Sequence, residues 1–271
     1  MKADKRKKQL IIGICFCGVK LIFMLTSLFY TPHDPNAMNV PEKFAGPSWT
    51  HPLGCDNFGR DILSRVMAGS TATLFIAIQI VLFGVIVGII IGALAGLHGG
   101  FLDELLMRIN DALFAFPGIL LALVFVSILG GGQSTIIWAL GIAFIPGYAR
   151  IVRGEFLRLK KMDYISAARL SGASSLRILT HHIMPNTVAV MVPAIMIGFN
   201  NAVLAEASMS YLGLGVQPPD PSLGRMLAEA QTYMLSAPLM ALAPGTVLIL
   251  VVLGFSILSD ALSDVAGSSG L

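Results

Sequence analysis

The sequence predicts an all-α membrane protein, a polytopic bundle of about six transmembrane helices. Hydrophobic residues make up 55% of the chain, charged residues only 12%, and the mean hydropathy is +0.80. A soluble domain carries about 25% charged residues. Apolar runs recur along the chain, and a spanning helix needs about 20 such residues. A chain of 271 residues therefore has room for about six spans, and none for a separate soluble catalytic domain.

The chain begins with a basic head, which is followed by an apolar run from Leu10 to Tyr30. This run is too long for the apolar region of a secretory signal, and no small-residue cleavage site follows it. We therefore expect residues 1–30 to form a cytosolic N-terminus and an uncleaved first span. Lys20 lies within that span, where a charged side chain needs a partner or must reach the bilayer surface.

Two further regions follow the first span. Residues 31–70 are rich in Pro, Gly and polar side chains, which predicts an extracytoplasmic segment. Residues 71–271 contain five more apolar runs, which predict a core of five spans joined by short glycine-rich turns or polar loops. These runs are Leu74–Leu97, Leu105–Leu129, Thr135–Tyr148 with its flanks, Val188–Ser208 and Leu239–Leu258. Four of them contain a proline that predicts a kink: Pro117, Pro146, Pro193 and Pro244.

The positions of the basic residues predict the orientation of the spans. With six spans, thirteen of the 18 Lys and Arg residues fall on one side, four on the other, and Lys20 within a span. Cytoplasmic loops carry the excess of Lys and Arg in membrane proteins. We therefore expect a multi-pass membrane protein with both termini in the cytoplasm.

A basic stretch from Arg150 to Asn186 is the longest polar interruption after residue 100, and this orientation places it in the cytosol. Its pattern predicts two short helices around a break. Gly172 can leave a helix with a positive φ, and Ser174 or Ser175 can cap the second helix. Pro185 is expected to end that helix before the next apolar run.

Four glycines recur at four-residue spacing in the second span: Gly84, Gly88, Gly92 and Gly96. This spacing puts them on one helical face, where another backbone can approach closely. The pattern predicts either tight packing within the bundle or an interface with another subunit.

Motifs for enzyme chemistry are absent from the sequence. There is no phosphate-binding loop, no H-E-x-x-H, no C-x-x-C pair and no G-x-S-x-G elbow. The adjacent His181 and His182 diverge by about 100° on a helix, and three cysteines do not make a disulfide framework. We therefore expect no catalytic residue, no bound metal and no bound cofactor in this chain.

Three ionisable residues near or within the spans are candidates for a pathway or for pairing between subunits. Arg108 and Asp111 lie three residues apart, which predicts a neutralising pair on one helix. Glu206 lies near the outer end of its span, where an ionisable group is a functional candidate by default.

The cytosolic stretch resembles the EAA motif of the inner-membrane permease subunits of ATP-binding-cassette (ABC) importers. Ser166 stands where that family usually has Glu, and Met184 where it usually has Leu. The residues that carry the resemblance are Ser166, Ala167, Ala168, Gly172, Ile183, Met184 and Pro185.

Longer matches indicate the dipeptide, oligopeptide and nickel group of these permeases, and within it the C-type subunit. Cys55 replaces a usual Thr and Leu223 a usual Trp. The matching stretches are His51–Arg65, Asp103–Pro117, Pro146–Leu157 and Leu204–Leu227, and the resemblance runs from about Asp34 to Asp264. Four residues of the first stretch form a candidate extracytoplasmic motif: Asp56, Gly59, Arg60 and Asp61.

The resemblance implies a type I ABC importer permease fold, a location in the bacterial plasma (inner) membrane and a set of partners. A second, similar permease would complete the path, and an extracytoplasmic binding protein would deliver a dipeptide or oligopeptide. Two separate ATPase subunits would bind ATP and Mg. A nickel or metal-chelate cargo is the alternative, and a self-contained channel or proton-coupled carrier is a further one. Membrane lipid surrounds such a subunit, and no nucleic acid is expected.

The resemblance also implies that residues of about 155–185 form a coupling loop that docks on an ATPase. The small side chains there allow close approach, and the flanking basic residues favour an acidic rim. The candidate coupling residues are Asp163, Tyr164, Ser166, Ala167, Ala168, Gly172, Ala173, Ile183 and Pro185.

Overall fold

The computed structural model describes residues 18, 22 and 25–268, without the side chains of residues 169, 175, 176 and 262–268. Every regular element in this described part is a helix, which confirms the all-α prediction. Residues 25–29 are helical and belong to the predicted first span Leu10–Tyr30. Lys20 and most of that span lie outside the described residues.

Nine α-helices follow a short 3-10 turn at Val40–Glu42, and the sixth is followed by a π-helical turn at Leu179–Ile183. We number them α1 Ile62–His98, α2 Gly100–Phe114, α3 Gly118–Leu129, α4 Gln133–Leu159, α5 Asp163–Leu170, α6 Ser175–Ile178, α7 Met184–Tyr211, α8 Leu223–Ala230 and α9 Leu239–Ser268.

Four of the predicted spans are helices long and apolar enough to cross a membrane: Ile62–His98, Gln133–Leu159, Leu179–Tyr211 and Leu239–Ala261. The predicted span Leu105–Leu129 differs. It is divided between α2 and α3, which meet at 85°. Pro117 lies at this break, where its missing N–H and its ring prevent a continuous helix. The kink predicted there is therefore a full break.

The glycine face of α1 packs against α4 of the same chain. A Cβ atom at Gly88 would lie 2.7 Å from the Cβ of Tyr148, and one at Gly92 would lie 2.4 Å from the Ala149 oxygen. A Cβ at Gly96 would lie 2.6 Å from the Cβ of Phe156. The sequence predicted either tight packing within the bundle or an interface with another subunit. The structure shows the first, because the glycine face packs on α4 of the same chain.

The long helix α1 separates two ends of the molecule. Its 37 residues span about 55 Å at a rise of 1.5 Å per residue. Residues 31–61 and α8 surround its first turn, and we call this region the α8 end. The turn after α4 contacts its last turn, and we call that region, with α5 and α6, the α5–α6 end. The apolar core of α1, α4 and α7 lies between them.

Candidate functional site

The predicted pair of short helices is present at the α5–α6 end. Gly172 separates α5 from α6 with a φ of +82°, a conformation in which a side chain would be strained. The Ala173 N–H donates to the Ala168 oxygen over 3.1 Å and closes the end of α5. Ser174 Oγ accepts from the Arg177 N–H over 3.3 Å. Ser174 is therefore the cap of the second helix, and the predicted break is confirmed.

Three isoleucines anchor this helical pair to the bundle. Ile165 of α5, Ile178 of α6 and Ile183 of the π-helical turn are each buried in the main apolar core. Only Ile183 was a candidate from the sequence. The other two look like ordinary apolar positions in short helices, and periodicity over eight and four residues does not single them out.

The opposite side of α5 faces outwards and combines two large exposed residues, Tyr164 and Leu170, with small side chains. Tyr164, Ser166 and Ala167 are exposed, and Leu170 is 89% exposed. No atom of the described chain lies within 4 Å of a Cβ built at Gly172. We call these five residues the α5 surface. Among the other predicted coupling residues, Asp163 is exposed, while Ala168 and Ala173 are half-buried.

Pro185 does not end the second short helix as the sequence predicts. It lies in the first turn of α7 and is exposed. The π-helical turn joins α6 to α7 without a gap, and Leu179–Tyr211 forms one span of 33 residues. A proline inside a continuous helix has no N–H to donate to the carbonyl four residues earlier. The π-helical turn immediately before Pro185, in which the Met184 N–H donates to the Leu179 oxygen, lies at this interruption.

Lys160 ties the α5–α6 end to α1. Its Nζ donates to the Gly96 oxygen over 3.0 Å and to the Leu97 oxygen over 2.6 Å. These carbonyls are at the end of α1, where backbone oxygens have no helical partner and a cation is favourable. The last turns of α1 and α4 are thereby joined next to α5.

The predicted pair between Arg108 and Asp111 is wrong. Arg108 Nη2 instead donates to Glu104 over 3.0 Å, one turn earlier on α2. Asp111 accepts from Arg150 Nη2 of α4 over 2.8 Å. The i,i+3 spacing allows the predicted pair, but α4 crosses α2 at this point and offers a closer cation.

Four charged side chains form a buried cluster at the α8 end. Arg60 Nε lies 2.6 Å from Asp56, and the Arg60 and Arg65 Nη2 atoms each lie 3.1 Å from Glu229 of α8. Arg60 is 2% exposed and Arg65 1% exposed. Arg225 also contacts Glu229, over 3.2 Å. The cluster joins residues 56–60, α1 and α8, and buried charges are stable only when paired in this way.

The candidate residues Asp56, Gly59, Arg60 and Asp61 are brought together in one loop that begins α1. Gly59 has a φ of +74°. A Cβ atom built at this position would lie only 1.8 Å from the Asn39 oxygen, so the close approach of the two backbones requires glycine. Asp61 caps α1 by accepting from the Ser64 N–H over 2.8 Å. Arg65 and Glu229 complete the ion cluster and were missed, because nothing in the sequence indicates which distant charges meet.

The carboxyl group of Glu206 is enclosed by its own chain. Ser210 Oγ donates to its Oε1 atom over 2.6 Å, and the hydroxyls of Thr73 and Ser222 face the same carboxyl. Ser210 Oγ in turn accepts from the Val216 N–H over 3.1 Å. Glu206 therefore holds α1, α7 and the loop before α8 together. Its predicted roles in a pathway or in subunit pairing stay predictions.

A groove runs between α4 and α7 on one face of the bundle. Two neighbouring cavities along it share Phe144 and Asn201, and Tyr148 lines the first of them. Asn201 is exposed within the candidate membrane span Leu179–Tyr211. A polar side chain within a span normally faces water or another protein rather than lipid.

Cys55 is buried among acidic side chains at the α8 end. Burial, followed by the negative charges of Glu42, Asp61 and Asp56, raises the pKa of its thiol to about 11. The thiol is therefore protonated at neutral pH.

Comparison with known proteins gives a consistent result across most of the chain. Residues 88–267 match the family described as binding-protein-dependent transport system inner membrane component. A glutathione transport system permease protein, GsiD, of Pectobacterium atrosepticum is 45% identical over 91% of this chain and 84% of its own length. A putative peptide transport system permease protein of Brucella suis is 40% identical over 96% of this chain and 88% of its own length.

Solved structures share the fold. An inward-facing structure of the MetNI methionine ABC transporter superposes with a TM-score of 0.60 at 22% identity, and covers 75% of this chain and 95% of that one. An amino acid ABC transporter with histidines superposes with a TM-score of 0.58 at 18% identity. These likenesses establish the type I importer permease fold for this chain.

Proposed function

Because this chain belongs to the family of binding-protein-dependent transport system inner membrane components, the permease subunits of ABC importers, we propose that it carries small peptides inward. A second permease forms the other half of the path, and a binding protein outside the membrane delivers the cargo. The relatives named for glutathione and for peptides support this substrate class. Neither of those names mentions nickel, and the proposal is restricted to peptides.

The α5 surface is the docking site for an ATP-hydrolysing subunit in this proposal, and this subunit binds the ATP and Mg. The observation that carries it is the division of α5 into two sides. Leu170 and its small neighbours face outwards, whereas Ile165 is fixed in the core. A large apolar side chain that its own chain leaves exposed gains free energy when a partner removes it from water.

Movement of the ATPase would pass into the bundle through three connections. The α5–α6 pair is continuous with α4 on one side and with α7 on the other. Lys160 links the same region to the last turn of α1. A displacement of the α5 surface therefore moves the ends of three spans together, as in rigid-body coupling between packed elements.

The orientation of the chain follows from this assignment. The α5–α6 end faces the cytoplasm, as do both termini, and the α8 end faces the binding protein. The basic residues around α5 support this, since Arg158, Lys160 and Lys161 lie just before it.

The groove between α4 and α7 is the side of the chain that faces the path. Asn201 offers both a donor and an acceptor to the amide groups of a peptide, and Phe144 and Tyr148 give the groove its apolar wall. The second permease closes the groove on its open side.

Reconstitution tests the proposal. Proteoliposomes containing this chain, the second permease and the two ATPase subunits should accumulate a labelled dipeptide or glutathione only with ATP and the binding protein. Proteoliposomes with this chain alone should accumulate neither. Uptake by the chain alone would contradict the proposal and favour a self-contained carrier.

A further inference from the structure

A group of metal-ligating side chains lies at the α8 end, apart from the ion cluster. Glu42, His51 and Cys55 each bring one ligand atom to a common point, and these atoms all lie within 4.8 Å of one another. The Oε2 atom of Glu42 is 3.3 Å from Nε2 of His51. Ligand atoms around a tetrahedral zinc ion lie about 3 to 4 Å apart. Small side-chain adjustments would therefore bring all three atoms into bonding distance of one ion.

His51 is held in the orientation that a metal ligand requires. Its Nδ1 atom lies 2.9 Å from Oδ1 of Asp61, and Asp61 is fixed by capping α1 and by accepting from the Ser64 hydroxyl over 2.6 Å. A carboxylate that accepts from one ring nitrogen leaves the lone pair of the other nitrogen for a metal. Nε2 of His51 is thereby directed towards Glu42 and Cys55.

The contact between His51 and Glu42 lacks a donor when the ring is neutral. With the proton on Nδ1, the Nε2 lone pair faces a carboxylate oxygen that carries lone pairs of its own. The Asn39 side chain already donates to that oxygen over 2.8 Å. A cation between Nε2, the carboxylate and the sulfur would satisfy all three acceptors at once.

We propose that Glu42, His51 and Cys55 bind one zinc-like divalent ion. A thiolate, an imidazole and a carboxylate form a donor set that suits zinc, whereas calcium and magnesium prefer oxygen ligands alone. The thiol proton leaves to water as the Zn–S bond forms. Cys55 is 2% exposed, and the Glu42 side chain is 42% exposed. The ion therefore enters from the Glu42 side, where water completes its coordination.

A second combination, His33 with His51 and Asp61, also brings its ligand atoms within 4.8 Å of one another. An ion bound there through Asp61 Oδ1 would compete with the contact between that oxygen and His51 Nδ1. His33 Nε2 is also in contact with the Thr50 oxygen over 2.8 Å. The site with Cys55 leaves these contacts in place, so His33 serves as a control position.

The ion would connect the 3-10 turn Val40–Glu42 to the loop that precedes α1. This loop lies on the side that the proposed binding protein approaches, and the ion would fix its conformation. The site does not depend on the transported cargo, because it is separate from the groove between α4 and α7. A failure of the metal proposal would therefore leave the proposed transport function untouched as a hypothesis, and the reverse also holds.

Metal binding can be measured directly on the purified full-length chain. The protein is prepared without a histidine tag, with Cys15→Ser and Cys17→Ser so that Cys55 is the only thiol, and is stripped with a chelator. Co²⁺ is added to observe the thiolate-to-cobalt charge-transfer absorption, and Zn²⁺ is then used to displace it. We expect one equivalent of Co²⁺, complete displacement by Zn²⁺, and a higher melting temperature with Zn²⁺.

Four variants assign the ligands. Cys55→Thr should abolish the charge-transfer absorption and the Zn²⁺-dependent rise in melting temperature, while the metal-free protein melts as before. His51→Gln should weaken Zn²⁺ binding by about tenfold or more, and Asp61→Asn, which keeps the cap of α1, by about 10–100-fold. His33→Gln should bind Zn²⁺ like the parent.

Three results would overturn the proposal. The first is a parent protein that binds no Co²⁺ or Zn²⁺. The second is an absorption that survives Cys55→Thr. The third is a loss of binding in His33→Gln as large as that in His51→Gln.

Discussion

At the first turn of α1, four charged side chains are buried together, whereas beyond its last turn a short helix presents a leucine to the surroundings. Arg60 and Arg65 are almost completely enclosed and satisfied by Asp56 and Glu229. Leu170 is 89% exposed and contacts little of its own chain. The α8 end therefore satisfies its charged groups internally, and the α5–α6 end leaves apolar surface uncovered.

This difference separates an ion cluster that maintains the fold from the α5 surface, on which we propose that an ATPase subunit docks. Substitutions in the ion cluster should alter stability, because a buried charge without its partner is costly. Substitutions on the α5 surface should alter transport and leave stability nearly unchanged, except at Gly172, where the positive φ strains a side chain. The predictions below test this separation, from the largest expected loss of stability to the smallest.

Glu229→Gln should destabilise the protein most. The change removes one negative charge from three arginines and should lower the free energy of unfolding by about 3–5 kcal/mol. Thermal melting in detergent measures this loss. Glu104→Gln is the control, because it removes a carboxylate from the exposed pair with Arg108. It should lower the free energy of unfolding by less than about 1 kcal/mol. Equal losses in the two variants would show that the buried cluster has no special role in stability.

Gly92→Ala should have the next largest effect, because α1 and α4 connect the two ends. The added Cβ would lie 2.4 Å from the Ala149 oxygen and 2.8 Å from the Val152 Cβ, and overpacking of this kind costs about 1–3 kcal/mol. Gly154→Ala is the matched control on α4, since its Cβ would meet no atom within 4 Å. If the Gly92→Ala and Gly154→Ala proteins have the same melting temperature, the close packing of α1 on α4 is contradicted.

Gly172 distinguishes backbone strain from contact with a partner. Because Asn tolerates a positive φ, Gly172→Asn should lower the free energy of unfolding by less than about 1 kcal/mol. Gly172→Leu should lower it by about 1–2 kcal/mol. Both side chains point into space that the chain itself leaves empty. We expect both variants to insert in the membrane and both to lose ATP-driven peptide uptake. Normal uptake by Gly172→Asn would show that only strain matters and that no partner packs on Gly172.

The sequence predicts the spans and the break at Gly172 because these depend on local patterns. Apolar runs give the helices, and one glycine followed by Ser174 gives the turn between α5 and α6. The four glycines of α1 indicate close packing, but not the partner helix. Each of these features is encoded within a few residues.

Contacts between distant residues were less predictable. Arg60 and Glu229 are 169 residues apart and meet only because α8 folds back on the start of α1. Asp111 pairs with Arg150 instead of Arg108 for the same kind of reason, since α4 crosses α2. The exposure of Leu170 was also missed, because a leucine in a short helix is indistinguishable from a core residue until the fold assigns its direction.

Site-specific photocrosslinking tests the central claim, that the α5 surface docks on the ATPase. A photoreactive amino acid is placed at Leu170 in the assembled complex, and at Leu235 as a control. Leu235 is a fully exposed leucine just before α9, in the turn between α8 and α9. Irradiation should link position 170 to the ATPase subunit and leave position 235 unlinked to it. Linkage of position 235 but not of position 170 would contradict the account.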